Sequence, residues 1–357
     1  MNIAIIAHNN YPITSSSSSP EDKLILGLID ALQQKGANIT LFAQSGSQAN
    51  CTIQTFNTNS IDWQYETEEN PAQRKLVEEN HAYLEAFQIL KNSDVDLVHN
   101  FSTHQLPIFT AQFLTIPTLT LLQQKPLASL QSAVKLNQQK NCFFIAPNYY
   151  LKSIWSPHSK IDDIIYNGID EDLWKFRNAY EEKRFIFWGE IDRSSNLEKI
   201  IKTIKRNNYK LWITGKITNS AYFEYVIQPE LTKNIEYLGE LEDSATAKLL
   251  GEANAAIFST THPNTSEKIL QSLSCGTPVT TFADEEVMEY LPSSCGNFVT
   301  EDDEDSLERA LQEAILKSRK GCRTFVEENF TIQKTIKEYL ALYQKIINQY
   351  SQKLNLI

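Results

Sequence analysis

The chain has 357 residues, 41% of them hydrophobic and 22% charged. That length is about twice what one hydrophobic core ordinarily serves, so two packed domains are expected, and both a small binding module and whole-chain disorder are excluded. Asp and Glu number 44 against 33 Lys and Arg, a net charge of −11. This is the wrong sign for holding nucleic acid through its phosphates, so an anionic ligand would need a local pocket.

The five cysteines, Cys51, Cys142, Cys275, Cys295 and Cys322, are odd in number and form no Cys-x-x-Cys pair. They read as reduced and structural, which suits a reducing compartment, and cytoplasm is the expected location. The six histidines do not cluster with acids or thiols at a ligand spacing, so neither a metal nor a cofactor is expected. The opening Ile3-Ala4-Ile5-Ile6-Ala7 has no basic flank and ends at the polar His8-Asn9-Asn10, too short for a signal peptide or a membrane span. It reads as a buried first strand.

Apolar runs of strand length then alternate with segments of helical period, the pattern of a parallel sheet covered on both faces. The first half offers Ile3–Ala7, Ile39–Ala43, Leu97–His99, Thr118–Leu122, Phe143–Ala146 and Ile164–Tyr166. Ser15–Ser19 leads into a helix over Lys23–Gln34, with Leu24, Ile25, Leu28, Ile29 and Leu32 on one face and Lys35-Gly36-Ala37 as its stop. After the charged stretch Asp170–Arg184 the pattern restarts with Phe185–Trp188, Leu211–Thr214, Ile235–Leu238, Ala255–Ser259 and Val279–Phe282. Asp305–Leu316 and Thr331–Tyr350 are helical by period and are expected to brace the domains. The fold class is therefore α/β: two doubly wound, Rossmann-like domains facing a cleft. Residues 1–170 and 171–330 form the domains, and helix 331–357 crosses back to the first.

Four segments, Ile3 to Ile13, Val98-His99-Asn100, Tyr166-Asn167-Gly168-Ile169-Asp170 and Ser274-Cys275-Gly276-Thr277-Pro278-Val279, occur in the order found in glycosyltransferase family 4, which the chain resembles. Singly none is specific, since Asn-Gly-Ile-Asp alone is a turn and Cys-Gly-Thr-Pro-Val a helix stop feeding a strand; together they cover most of the chain. The resemblance implies the GT-B fold, with an acceptor-side N-terminal domain and a nucleotide-sugar-side C-terminal domain. It also implies retaining transfer of a sugar from a nucleotide diphosphate donor to an acceptor. Fold can be inherited without chemistry.

The residues that would carry that chemistry depart from the family pattern. An Arg and a Lys that clamp the leaving diphosphate fall on Glu190 and Ser195, and loss of one such donor costs on the order of a hundred- to a thousandfold in rate. The paired glutamates fall on Pro263 and Gln271, of which Gln271 can still hydrogen-bond a ribose. Asn264-Thr265-Ser266-Glu267 reads as a helix N-cap with Glu267 at the capping-box position, and Thr265, Ser266 and Glu267 also stand where helix amides would meet a phosphate. The flexible Gly-Gly loop falls on Ser19-Pro20, and the family's sugar-facing His on Gln123. His99 and His104 remain beside it as candidate catalytic groups, against the alternative that each is a structural hydrogen-bonder.

Two readings stay open. In one the chain is a divergent hexosyltransferase in which Arg193 and Lys216 replace the lost cations. The alternatives for these two are a surface ion pair of Arg193 with Asp192 or Glu198 and a solvated loop lysine. In the other it is a catalytically silent GT-B pseudoenzyme that serves as a protein partner or ligand-binding subunit.

Overall fold

The computed structural model describes the chain apart from residues 18, 65–69, 138, 179, 260–263, 300–303 and 355–357. It divides into two compact units, residues 1–167 with 333–357 and residues 168–332. Pro263, one of the paired-glutamate positions, lies outside the described residues.

Unit 1 runs β1 (Asn2–Ile6), α1 (Pro20–Gln34), β2 (Asn38–Ala43), β3 (Thr52–Thr55), α2 (Pro71–Lys91), β4 (Leu97–Asn100), α3 (Gln105–Thr110), β5 (Thr118–Leu121), α4 (Ala128–Leu136), β6 (Cys142–Ala146), α5 (Tyr149–Trp155) and β7 (Asp163–Ile164). The sheet order is β3-β2-β1-β4-β5-β6-β7, every pairing parallel. Strand alternation splits β1 between two cores. Ile3 and Ile5 pack with Leu24, Leu28 and Leu32 of α1, whereas Ala4 and Ile6 pack with Ala82, Tyr83 and Leu90 of α2. The last helix, α13 (Ile332–Leu354), buries Tyr339, Leu342, Tyr343 and Ile346 in the α1-side core. Its apolar face therefore belongs to the fold of unit 1.

Helix α1 begins where its sequence allows. The Ser19 side chain accepts from the Asp22 amide, and Pro20 takes the first position, where no amide hydrogen is needed. So Ser19-Pro20, which the resemblance sets where a flexible glycine loop would stand, is here a rigid helix start.

Unit 2 runs β8 (Arg184–Trp188), α6 (Leu197–Arg206), β9 (Lys210–Thr214), α7 (Ser220–Tyr222), β10 (Ile235–Tyr237), α8 (Asp243–Glu252), β11 (Ala255–Phe258), α9 (Thr265–Ser274), β12 (Val279–Phe282), α10 (Glu285–Met288), β13 (Gly296–Val299), α11 (Glu304–Ala314) and α12 (Arg319–Asn329). Its sheet is also parallel, in the order β10-β9-β8-β11-β12-β13. Phe185, Phe187, Leu211 and Ile257 pack under Ile200 and Ile204 of α6 and Leu307 and Leu311 of α11. The Cys-Gly-Thr-Pro segment is held by structural bonds: Thr277 Oγ1 donates to Leu250 O, and the buried Arg319 donates to Ala253 O, Gly251 O and Thr277 Oγ1.

Two strands escape the apolar-run criterion. β3 is Thr-Ile-Gln-Thr on the sheet edge, half-exposed and polar, and β13 opens on Gly296 with only Phe298 and Val299 as large apolar residues. The Asn-Gly-Ile-Asp segment has a specific reason to be what it is. Ile169 N donates to Phe330 O at 2.7 Å and Ile332 N to Ile169 O at 3.1 Å, so the two connecting segments run side by side. A Cβ on Gly168 would stand 2.4 Å from Ile332 Cα and 2.6 Å from its nitrogen, contacts that only a backbone shift relieves.

Gly168→Ala is expected to lower stability by about 2–3 kcal/mol, the range of overpacked sites. Urea unfolding followed by circular dichroism measures it, and an unchanged midpoint would contradict the close approach.

Candidate functional site

In doubly wound sheets ligands bind outside the strands' carboxyl ends where the strand order reverses, here between β8 and β11 in unit 2 and between β1 and β4 in unit 1. At the unit 2 edge, β8 and β9 run out into Gly189 and Gly215. Gly215 has φ +135°, and a Cβ there would lie 1.9 Å from Gly189 O, so the two strand ends close on each other through glycine. Glu190 follows directly and is half-buried.

Lys268, in the first turn of α9, lies over the same edge, its Nζ 5.2 Å from the centre of the Trp188 ring. Burial lowers its pKa from the ordinary lysine value, opposed by Glu190, Glu267 and Glu240, which favour the charged form. The arrangement is one largely buried ammonium against an indole face, facing three carboxylates. At the start of helix α9, Asn264 has φ 65° and makes no side-chain cap bond. The expected capping box is therefore absent: a capping residue ordinarily has extended backbone, and the Glu267 carboxylate instead accepts from Gln271 Nε2 at 2.7 Å. Gln271 is buried and Ser266 half-buried. Thr265 Oγ1 donates to Ser259 O, closing the loop between β11 and α9.

The other positions read from sequence in this unit lie apart from Lys268 in character. Ser195 is fully buried and donates to Asp192 O at 2.6 Å, so it serves its own turn. Arg193 is exposed and lines a pocket of about 310 Å3 with Lys199, Lys202 and Glu198, in which Lys202 pairs with Glu198 at 3.2 Å. Lys216 is exposed, and its carbonyl accepts from Ile191 N.

At the unit 1 edge the histidines fall in different settings. His99 is wholly buried, with Nδ1 on the Tyr343 hydroxyl and its ring between Phe101 and Tyr339. Burial takes its pKa down to about 3, so it is a neutral core residue without a path to ligand. His104 caps the six-residue α3 by accepting from Leu106 N and stacks on Tyr83. Burial lowers its pKa to about 4, so its 4.0 Å approach to Glu79 is not an ion pair at neutral pH.

Gln123, half-buried at the end of β5, donates from Nε2 to Glu21 Oε2. Burial raises the Glu21 carboxyl to about 7, against the Gln123 bond and the nearby His8. The next residue, Asp22, is fully buried and holds His8 Nε2 at 3.0 Å. Burial opposes protonation of His8, but the Asp22 bond and the charges of Glu21 and Asp22 outweigh it and raise its pKa. Sequence reasoning missed Lys268, Glu21, Asp22 and His8. Its one available signal was the presence of charges in the first turns of two otherwise apolar-faced helices. Among the described residues no group of three or more His, Cys, Asp or Glu is placed to hold a metal ion, and no helix is long and apolar enough to cross a membrane.

Because the folded-state pKa of Glu21 is about 7 against an ordinary 4.5, the folded chain holds more protons than the unfolded one between these values. Stability therefore falls as pH rises through that window and levels off above it. Glu21→Gln removes this dependence, so it should gain on the wild type by about 2–3 kcal/mol from roughly pH 4.5 to pH 8. Urea unfolding across that pH range reads the difference, and parallel stability curves would contradict a buried, proton-holding Glu21.

Comparison with known proteins gives the following. The family model described as glycosyl transferases group 1 matches residues 168–330, nearly the whole of unit 2. No curated protein matches the sequence. Among solved structures, sucrose-phosphate synthase from Thermosynechococcus elongatus aligns with a TM-score of 0.73 at 16% identity, over 98% of this chain and 99% of that one. A lipopolysaccharide outer core galactosyltransferase aligns with 0.67 at 13%, over 99% of each. TarM from S. aureus, solved with fondaparinux, alpha-GlcNAc-glycerol and UDP, aligns with 0.67 at 8%, over 96% and 99%. Identities this low speak for fold alone: two parallel sheets with covering helices, the α/β GT-B fold of solved glycosyltransferases, with a unit 2 that matches the group 1 glycosyl transferase family.

Proposed function

We propose that the chain is a glycosyltransferase-type protein that takes its sugar from a nucleotide diphosphate donor with retention. Unit 2 is the donor side and unit 1 the acceptor side, with the cytoplasm as the site of action. The observation that carries the reading is the coincidence of two things on unit 2: the match of residues 168–330 to the glycosyl transferases group 1 model, and Lys268 against Trp188 in the first turn of α9 at the β8–β11 reversal. A departing nucleotide diphosphate gains negative charge as the sugar bond breaks, and the Lys268 ammonium is the local group able to meet it. In this reading the leaving phosphate takes the acceptor proton, so no protein base is required.

The same edge keeps transfer slow. Glu190 stands where the resemblance sets an Arg, and Glu190, Glu240 and Glu267 surround the Lys268 charge, so a diphosphate meets repulsion along with attraction. The exposed Arg193 and Lys216 are secondary contacts. That excess of carboxylates also favours a second reading, a silent GT-B subunit that binds a protein partner.

Calorimetric titration with UDP, GDP, ADP and their glucose, mannose and N-acetylglucosamine conjugates separates the two. The proposal predicts micromolar binding of one of them, weakened at least about tenfold in Lys268→Ala, the worth of a single charged hydrogen bond, and strengthened in Glu190→Gln. Absence of binding to all of them would overturn the donor reading in favour of the silent subunit.

A further inference from the structure

Two of the five cysteines meet inside unit 2, brought together from different elements. Cys295 directly precedes β13 and its backbone is fixed on both sides: its amide donates to Pro292 O at 2.8 Å, and its carbonyl accepts from Val279 N of β12 at 3.2 Å. Cys322 sits in the first turn of α12, which starts on the Ser318 cap, and its amide donates to Ser318 O at 2.9 Å. Both are buried. Although 27 positions separate them, the Cys322 thiol donates to Cys295 O at 3.7 Å, and the two thiols are also hydrogen-bond partners of each other.

The pair lies beneath the surface on the Cys295 side, where Ser294 is exposed and places its hydroxyl 3.7 Å from Cys295 Sγ. The Cys322 thiol lowers the pKa of Cys295 below that of an ordinary thiol, with Ser294 and Lys317 adding to the effect, whereas the same contact and burial raise Cys322. One thiol is thus the more easily ionised and the other stays protonated beside it, the asymmetry of an attacking and a resolving cysteine. The remaining cysteines lack this arrangement. Burial pushes Cys275 up to about 12 and Cys142 up to about 11, and it raises Cys51 as well.

We propose that Cys295 and Cys322 form a reversible disulfide, an oxidation site that ties α12 to the edge strand β13 of the unit 2 sheet, with hydrogen peroxide as its oxidant. The Cys295 thiolate attacks one peroxide oxygen, the O–O bond breaks, and the departing hydroxide takes up a proton as water, leaving a sulfenic acid. The Cys322 sulfur then attacks the Cys295 sulfur, the S–O bond breaks, and the Cys322 proton leaves with the hydroxyl as a second water. Two thiols lose two electrons in all, and one peroxide is reduced to two waters. Peroxide is little larger than water, which suits a thiol lying directly beneath Ser294. The proposal does not rest on the donor reading of unit 2.

The test takes the whole chain, reduced, freed of reductant and treated with hydrogen peroxide, then denatured, alkylated and digested for mass spectrometry. The expected product is the peptide bearing Cys295 joined to the peptide bearing Cys322, separated again by dithiothreitol, with Cys51, Cys142 and Cys275 alkylated. The oxidised chain should also unfold at a higher urea concentration than the reduced one, because the bond closes a loop across α11. Cys322→Ala removes the resolving thiol, so peroxide should leave Cys295 as a sulfenic acid that dimedone traps. Alkylation of all five cysteines in the treated wild type, which needs no variant to fold, would overturn the proposal. Linkage of either residue to a different cysteine would do the same. So would a linked product with a lowered urea midpoint, since that bond would belong to the unfolded chain.

Discussion

A parallel sheet delivers every strand's carboxyl end to one edge, and the helices that follow start there. In this chain that constraint operates twice, and both reversals of strand order collect the unusual side chains. In unit 2 the reversal gathers Gly189, Glu190, Ser259 and the first turn of α9; in unit 1 it gathers His8, Asn9, Ser102 and the first turn of α1. Chemistry has few other places to go in such an architecture.

What the two edges offer is quite different. The unit 2 edge is a contest of charges around Lys268. Burial makes each interaction of that ammonium stronger than it would be in water, and the Trp188 face favours the cation. Three carboxylates claim the same charge, however, and an incoming diphosphate must compete with them. In the proposed reading this balance favours a weakly held nucleotide over the strongly positive clamp that makes a fast leaving group. The unit 1 edge is nearly neutral and rich in acceptors, with a carboxyl that keeps its proton to about pH 7.

Most of the fold was legible in the sequence because buried parallel strands are short apolar runs, and eleven of the thirteen strands among the described residues coincide with one. The α1 face of Leu24, Ile25, Leu28, Ile29 and Leu32 is buried as its spacing requires. β3 and β13 were not legible, since an edge strand such as Thr52–Thr55 has only one face to bury and carries no apolar run. α2 hides for a related reason: only Ala82, Tyr83, Ala86 and Leu90 of its 21 residues are buried. The candidate site was less legible than the fold. Register assigned Glu190 and Gln123 to strand ends, but it gave no way to see that Lys268 reaches Trp188 or that Gln123 is held by Glu21. These are tertiary contacts between residues 80 and 102 positions apart in sequence. Ser195 and His104 show the converse, polar residues at motif positions that bond within their own turn, and His99 is buried in the unit 1 core against Tyr343.

The account stands or falls on whether the edge with Lys268 draws in a diphosphate despite its carboxylates. The direct measurement is the affinity of the intact protein for a nucleoside and for the matching nucleoside diphosphate, uridine against UDP, guanosine against GDP and adenosine against ADP, at two salt concentrations. The account predicts that for one base the diphosphate binds at least about tenfold more tightly and loses part of that advantage in high salt, as expected of a partly screened charge interaction. Equal affinity, or tighter binding of the bare nucleoside for every base, would show that the carboxylates prevail and that this edge is not a donor site.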